Sequence, residues 1–137
     1  MPTNRFQRTR EDHSREKAED YVELIDSLIK ESGEARAVDL ADALGISHVT
    51  VSKTVQRLQR EGYVKSQPYR SIFLTDKGTE LALAARIRHA LVRDFLVALG
   101  VDEENAEADA EGIEHHVSSQ TLYAMKQFLK EPSSHAR

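Results

Sequence analysis

Cysteine is absent from the 137 residues. That removes disulfides and thiolate metal sites and is compatible with a reducing cytoplasm. Tryptophan is absent as well, and 39% hydrophobic residues allow a small helical core but not a generous one. No apolar run approaches the ~18 residues of a membrane span, and the opening Met1–Arg8 lacks the apolar stretch of a secretory signal. The expectation is a soluble cytoplasmic protein with no membrane partner, built as one ordinary domain or two small ones sharing an interface.

Positive charge is also short overall, with a net of −4, which argues against nucleic acid until the charge is resolved along the chain. Residues 1–46 carry 7 basic and 11 acidic side chains, and residues 94–137 carry 3 and 9. Residues 47–93 carry 9 basic and only 3 acidic. The middle third is therefore a basic block of the kind phosphate contacts require.

Residues 1–10, with Arg5, Arg8 and Arg10, show no periodicity and read as a mobile arm. A long helix is expected from about Arg15 to Glu31, with Leu24, Ile25, Leu28 and Ile29 as its apolar stripe and Gly33 as its stop. Ala37–Leu44 reads as a short helix with Val38, Leu40, Ala41 and Leu44 facing inward. Gly45, Ile46 and Ser47 form a turn, and Ser47 caps a helix over His48–Glu61 that buries Val51, Val55 and Leu58. A helix, a glycine-containing turn and a second helix with a polar face make a helix-turn-helix. Tyr63–Lys65 and Ser71–Leu74 read as the strands of a β-hairpin wing. Thr75 then caps a helix reaching to Leu99, about 36 Å long at ~1.5 Å per residue. Such a helix should link the DNA reader to something else, most simply a dimer interface. Asp102 caps a further helix, and Ser118 or Ser119 a last one over Leu122–Leu129. The fold class is mainly α with a small hairpin. Residues 1–78 form the arm and winged helix-turn-helix domain, and 79–137 a helical domain for dimerisation and metal binding, with 76–99 as the linking helix.

Glu111, Glu114 and His115 fall three and four residues apart, a spacing that gathers them on one face of a helix. Two carboxylates and an imidazole suit Mn(II) or Fe(II) better than Cu(II) or a structural zinc. Asp20 and Glu23 repeat the carboxylate spacing upstream. In a chain that is 31% charged such pairs also arise as ordinary surface charge, and both readings stand for these positions. The spacing is not the His-Glu-x-x-His of zinc proteases. His89, among Leu91, Val92 and Phe95, reads on its own as a surface or core-edge residue. His116 points away from His115 and reads as a structural group hydrogen-bonding a carboxylate. His13, His48 and His135 read as non-ligands.

The blocks together resemble the manganese transport regulators of the diphtheria toxin repressor family, over about residues 15–130. The resemblance rests on Glu19–Ile25, the helix-turn-helix, Tyr69–Gly78, Arg88 and His89 with Phe95 and Leu96, Gly100–Asp102 and, most specifically, Asp109–Ser118. It implies a set of manganese ligands at Asp20, Glu23, His89, Glu111, Glu114 and His115, holding two Mn(II) ions per subunit. It thereby makes His89 a ligand. The iron-sensing branch has methionine and cysteine where this chain has Asp20 and Glu111, and hard oxygen donors favour Mn(II).

The resemblance implies a homodimeric, Mn(II)-activated transcriptional repressor of manganese uptake genes, not an enzyme, binding palindromic double-stranded operator DNA. In the winged helix His48, Thr50, Ser52, Lys53 and Gln56 are candidates for base or phosphate contact. Arg57 and Lys65 are expected to reach phosphate, and Tyr69 and Arg70 the backbone or minor groove. The alternatives are an Fe(II)-responsive repressor of the same family, or a metal-independent winged-helix regulator binding a small ligand. A di-metal carboxylate enzyme would need an open coordination position and a substrate pocket, for which the sequence offers no nucleophile.

Overall fold

The first helix starts well before the sequence suggests. In the computed structural model, which describes residues 5–67 and 70–131 (of 5–9 and 12 the backbone alone), α1 runs from Arg5 to Ser32. The expected arm over residues 5–10 is therefore helical. Nothing after Pro2 interrupts it, and Arg, Gln, Glu and Lys are good helix formers. An amphipathic stripe is not needed to extend a helix already nucleated downstream. Gly33 ends α1 at φ +86°, its N–H donating to the Ile29 carbonyl at 2.9 Å.

Five more helices and a two-stranded hairpin follow: α2 Ala37–Leu44, α3 His48–Arg60, β1 Val64–Lys65, β2 Phe73–Leu74, α4 Asp76–Leu99, α5 Glu103–Ile113 and α6 Ser119–Leu129. The chain divides into two compact units, one over His13–Leu83 and one from Ala84 onward together with the start of α1.

In the first unit, Tyr21 and Ile25 of α1, Leu40 of α2, Val51, Val55 and Leu58 of α3, and Val64 and Ile72 of the hairpin form one core. The buried face of α1 is centred on Ala18, Tyr21 and Ile25, with Leu24, Leu28 and Ile29 only partly buried against it. Val38, expected inside, is 49% exposed. Ser47 caps α3 as expected, its Oγ accepting from Thr50 N–H at 3.1 Å. The strands are shorter than the sequence suggests, pairing antiparallel as Val64 with Leu74 and Lys65 with Phe73. Ile72 N–H leaves the ladder to donate to the Ala35 carbonyl at 2.7 Å, which ties the hairpin to the α1–α2 loop. Thr75 Oγ1 donates to the Gly62 carbonyl at 2.6 Å and accepts from Gly78 N–H at 3.1 Å. One side chain thus closes the hairpin and caps α4.

In the second unit α4 ends at Gly100 (φ +109°), with Val101 N–H donating to the Leu96 carbonyl and Gly100 N–H to that of Val97. This is the paired bonding of a Schellman stop. Asp102 caps α5 through Asn105 N–H at 2.8 Å, and Ser118 caps α6 through Thr121 N–H at 3.1 Å. Val92, Ala106 and Ala110 are fully buried. Phe95 meets Phe128 edge-to-face at 5.1 Å, fastening α6 to α4. Among the described residues no helix is long and apolar enough to cross a membrane.

Candidate metal centre and nucleic-acid interface

His89 and Arg93 lie one turn apart on α4, and Glu107 and Glu111 one turn apart on α5. The helical repeat therefore presents each pair along one side of its helix. Within the second unit these residues and Glu114 gather around the His89 imidazole, whose side chain is 12% exposed. Its Nε2 lies 2.6 Å from Glu107 Oε1. Its Nδ1 lies 3.1 Å from Glu114 Oε2 and 3.6 Å from Glu111 Oε1. That nitrogen is buried and makes no hydrogen bond. One donor atom from each of His89, Glu111 and Glu114 can be chosen so that all lie within 4.8 Å of one another.

Burial opposes protonation of His89, but the Glu107 hydrogen bond and the charges of Glu114, Glu111 and Glu107 outweigh it and hold its pKa above the ordinary histidine value. Glu107 is held below the usual carboxylate range, first by its hydrogen bond to His89 and then by the charges of His89 and Arg93. The arrangement is a pocket of negative potential into which the imidazole, once it gives up its second proton, presents a ring nitrogen. An unbonded buried nitrogen facing two carboxylates fits a divalent cation with a preference for oxygen and imidazole donors.

The ligand segment is not the continuous helical face expected. α5 ends at Ile113, Glu114 is its C-terminal cap and His115 lies in the turn beyond. Gly112 weakens the helix and Ser118 starts the next one, so the intervening residues tighten: Glu114 N–H bonds the Ala110 carbonyl and His116 N–H that of Ile113, both at 3.0 Å. The turn carries Glu114 and His115 inward, to 1% and 3% exposure, with His115 Nε2 3.4 Å from Glu114 Oε1. Glu111 stays outward, its side chain 61% exposed. His116 is exposed, its ring 6.4 Å from that of His115.

Asp20 and Glu23 lie on α1 in the first unit, both half-buried. His13 and His48 are exposed, and His135 lies outside the described residues. Glu107 does not stand out in the sequence. Its signal is there, four residues before Glu111, but in a helix that also carries Glu103, Glu104 and Asp109 nothing singles it out.

On the first unit, the outward face of α3 presents Thr50, Lys53 and Gln56, all exposed. Thr50 Oγ1 is shared with Ser47 Oγ at 2.9 Å. His48, half-buried Ser52, Gln56 and Arg70 line a groove of about 680 Å³ between α3 and the hairpin. Arg36 and Gln59 line it too, and nothing in the sequence singles out either. Gln59 Oε1 accepts from Ser66 N–H at 2.9 Å, which sets the hairpin's start against α3. Lys65 is exposed on β1. Arg57 is differently committed: Nη1 donates to Ser14 Oγ at 2.8 Å and Nε lies 3.6 Å from Glu61. The Ser14 contact ties α3 to α1. Tyr69 lies outside the described residues.

Two family models match, the iron dependent repressor N-terminal DNA binding domain over residues 13–72 and the iron dependent repressor metal binding and dimerisation domain over 75–137. The chain is 49% identical over 131 residues to the transcriptional regulator MntR of Salmonella typhimurium, covering 96% of this chain and 83% of that protein. It is 45% identical over 100 residues to the HTH-type transcriptional regulator MntR of Bacillus subtilis, covering 73% and 70%. Among solved structures it is similar to a manganese-dependent transcriptional repressor in complex with manganese. That match has a TM-score of 0.73 and 30% identity, over 82% of this chain and 52% of the other. The chain thus spans about half the length of that solved structure.

Proposed function

The chain belongs to the iron-dependent repressor family of transcriptional regulators, and from that premise we propose that it is a homodimeric, Mn(II)-activated repressor of manganese uptake genes, acting in the cytoplasm on palindromic operator DNA. The observation that carries the metal reading is the buried, unbonded Nδ1 of His89 facing Glu114 and Glu111. The relatives at 45–49% identity are transcriptional regulators named MntR, and a solved structure 30% identical is a manganese-dependent repressor in complex with manganese. The donor chemistry agrees, since oxygen at Asp20 and Glu111 favours Mn(II) over softer ions.

In this proposal Asp20, Glu23, His89, Glu111, Glu114 and His115 hold two Mn(II) per subunit. The bound metal supplies the positive charge that lets these carboxylates share a site. Residues 1–78 serve as the reading domain and 79–137 as the dimerisation and metal-binding domain. With ligands drawn from both parts of the sequence, ligation fixes the reading helix in one orientation relative to its copy in the dimer. His48, Thr50, Ser52, Lys53 and Gln56 of α3 then meet the major groove, Arg57 and Lys65 reach phosphate, and Tyr69 and Arg70 meet the backbone or minor groove, with a two-fold operator matching the two-fold dimer. Linkage requires DNA to tighten Mn(II) binding by the factor with which Mn(II) tightens DNA binding, typically about 1–3 kcal/mol.

The test is to pass sheared genomic DNA of the source organism over the immobilised protein in Mn(II) and in chelator, and to sequence what is retained. Promoters of manganese importers should be enriched only with Mn(II). Enrichment that ignores the metal, or appears only with Fe(II), overturns the assignment.

A further inference from the structure

The imidazole of His89 stands between two sets of carboxylates. Glu107 Oε1 is 2.6 Å from Nε2, while Glu114 Oε2 and Glu111 Oε1 are 3.1 and 3.6 Å from Nδ1. A neutral imidazole has a single proton to place. On Nδ1 it would be offered to Glu114, and the lone pair of Nε2 would then press against the Glu107 carboxylate. On Nε2 it makes a short, charge-assisted bond to Glu107 and leaves Nδ1 as a bare lone pair. The distances favour the second arrangement, and the absence of a hydrogen bond at Nδ1 agrees with it.

We infer that Glu107 is a positioning residue for the cation site: it holds the His89 proton on Nε2 and fixes the ring so that Nδ1 is free to bind a metal ion. Glu107 is in turn oriented by Arg93, whose Nη1 lies 3.5 Å from Glu107 Oε2 while its Nε donates to Asp94 Oδ1 at 3.2 Å. Arg93, Glu107 and His89 form a relay from the exposed side of α4 to the buried side. Along α5 the work is divided by one helical turn, with Glu107 behind the ring and Glu111 in front. Carboxylates behind ligating histidines act in this way generally, and their loss weakens metal binding by about 10- to 100-fold.

The inference rests on the reading of His89, Glu111 and Glu114 as ligands, and the experiment separates the two. Imidazole nitrogens of the metal-free protein are observed by long-range ¹H–¹⁵N correlation near pH 9, well above the ordinary histidine value of about 6.5. Mn(II) alone is then titrated calorimetrically. The wild type should show His89 protonated on Nε2. Glu107→Ala should move the proton toward Nδ1, where Glu114 accepts it, and raise the Mn(II) Kd by about 10- to 100-fold. Glu107→Gln keeps an acceptor for Nε2–H, so it should retain the wild-type tautomer and recover most of the affinity. An alanine variant with the wild-type tautomer and a Kd within threefold of wild type overturns the inference. So does a glutamine variant as defective as alanine, which would make Glu107 a ligand through its charge. The tautomer is read without metal, so a wild type that fails to bind Mn(II) refutes the cation site while leaving the proton placement to be decided on its own.

Discussion

Replacing Glu114 by glutamine should remove most of the stability that Mn(II) confers while barely altering the shape of the site. The side chain is fully buried, and its two oxygens face His89 Nδ1 at 3.1 Å and His115 Nε2 at 3.4 Å. The amide fills the same volume but brings no charge to a cation. A ligand that binds only the folded protein stabilises it by RT ln(1 + [L]/Kd), or about 2.7 kcal/mol at a hundredfold excess over Kd. Unfolding midpoints move by roughly 3–5 °C per kcal/mol for a chain of this length, so saturating Mn(II) should raise the wild-type midpoint by roughly 10 °C. Loss of a buried ligand should cost at least the ~100-fold at the upper end for outer-shell groups. At the same Mn(II) concentration the variant then sits near its own Kd and gains only about 0.4 kcal/mol, a shift of roughly 1–2 °C. Thermal unfolding by circular dichroism, with chelator and with Mn(II), measures both shifts, each variant serving as its own metal-free reference. A Glu114→Gln protein with the full wild-type shift would show that this carboxylate holds no metal.

Lys53→Ala, on the outward face of α3, should weaken operator binding and reduce the salt dependence of log K by about 0.9 for the one phosphate it no longer neutralises, with calorimetric Mn(II) binding unchanged. Gly78→Ala would drive its methyl carbon into the Tyr63 carbonyl oxygen, with Leu74 Cδ2 only 3.3 Å away. The first turn of α4 must then back off the hairpin, at a cost of about 1–3 kcal/mol in urea unfolding. Glu34 is held below the ordinary glutamate value of 4.5, first by the Arg36 hydrogen bond and then by that from Ser71. A depressed folded-state pKa gives stability that is present above the ordinary value and lost as the pH falls through the lowered one. The advantage of wild type over Glu34→Gln in pH-dependent unfolding should therefore be present at neutral pH and vanish on acidification below 4.5.

Much of the fold is legible in the chain. Ser47, Asp102 and Ser118 each announce a helix start by local chemistry, and Gly33 and Gly100 each mark a stop, so these boundaries need no tertiary information. The start of the first helix at Arg5 is hidden because its early residues lack periodicity, and periodicity measures burial, not helicity. Val38 misleads for the opposite reason: it keeps the apolar pattern of α2, yet that face opens onto the groove beside α3. At the site, residue types and spacing draw attention to Glu111, Glu114 and His115. They do not show that the helix stops at Ile113 and that a turn buries the last two. His89 and Glu107 cannot be paired from sequence at all, since 18 positions separate them and only the packing of α4 on α5 joins them. The bond of Arg57 to Ser14, 43 positions away, is likewise invisible to local reasoning.

In the proposed mechanism, metal occupancy controls DNA reading. The most direct test is fluorescence anisotropy of a labelled importer-promoter duplex titrated with the full-length protein, at fixed ionic strength, in Mn(II) and in chelator. The operator Kd should be at least tenfold lower with Mn(II), within the coupling of about 1–3 kcal/mol usual for linked sites, while circular dichroism shows the metal-free chain still helical. Equal operator affinity in the two conditions, with the fold intact in both, would contradict it.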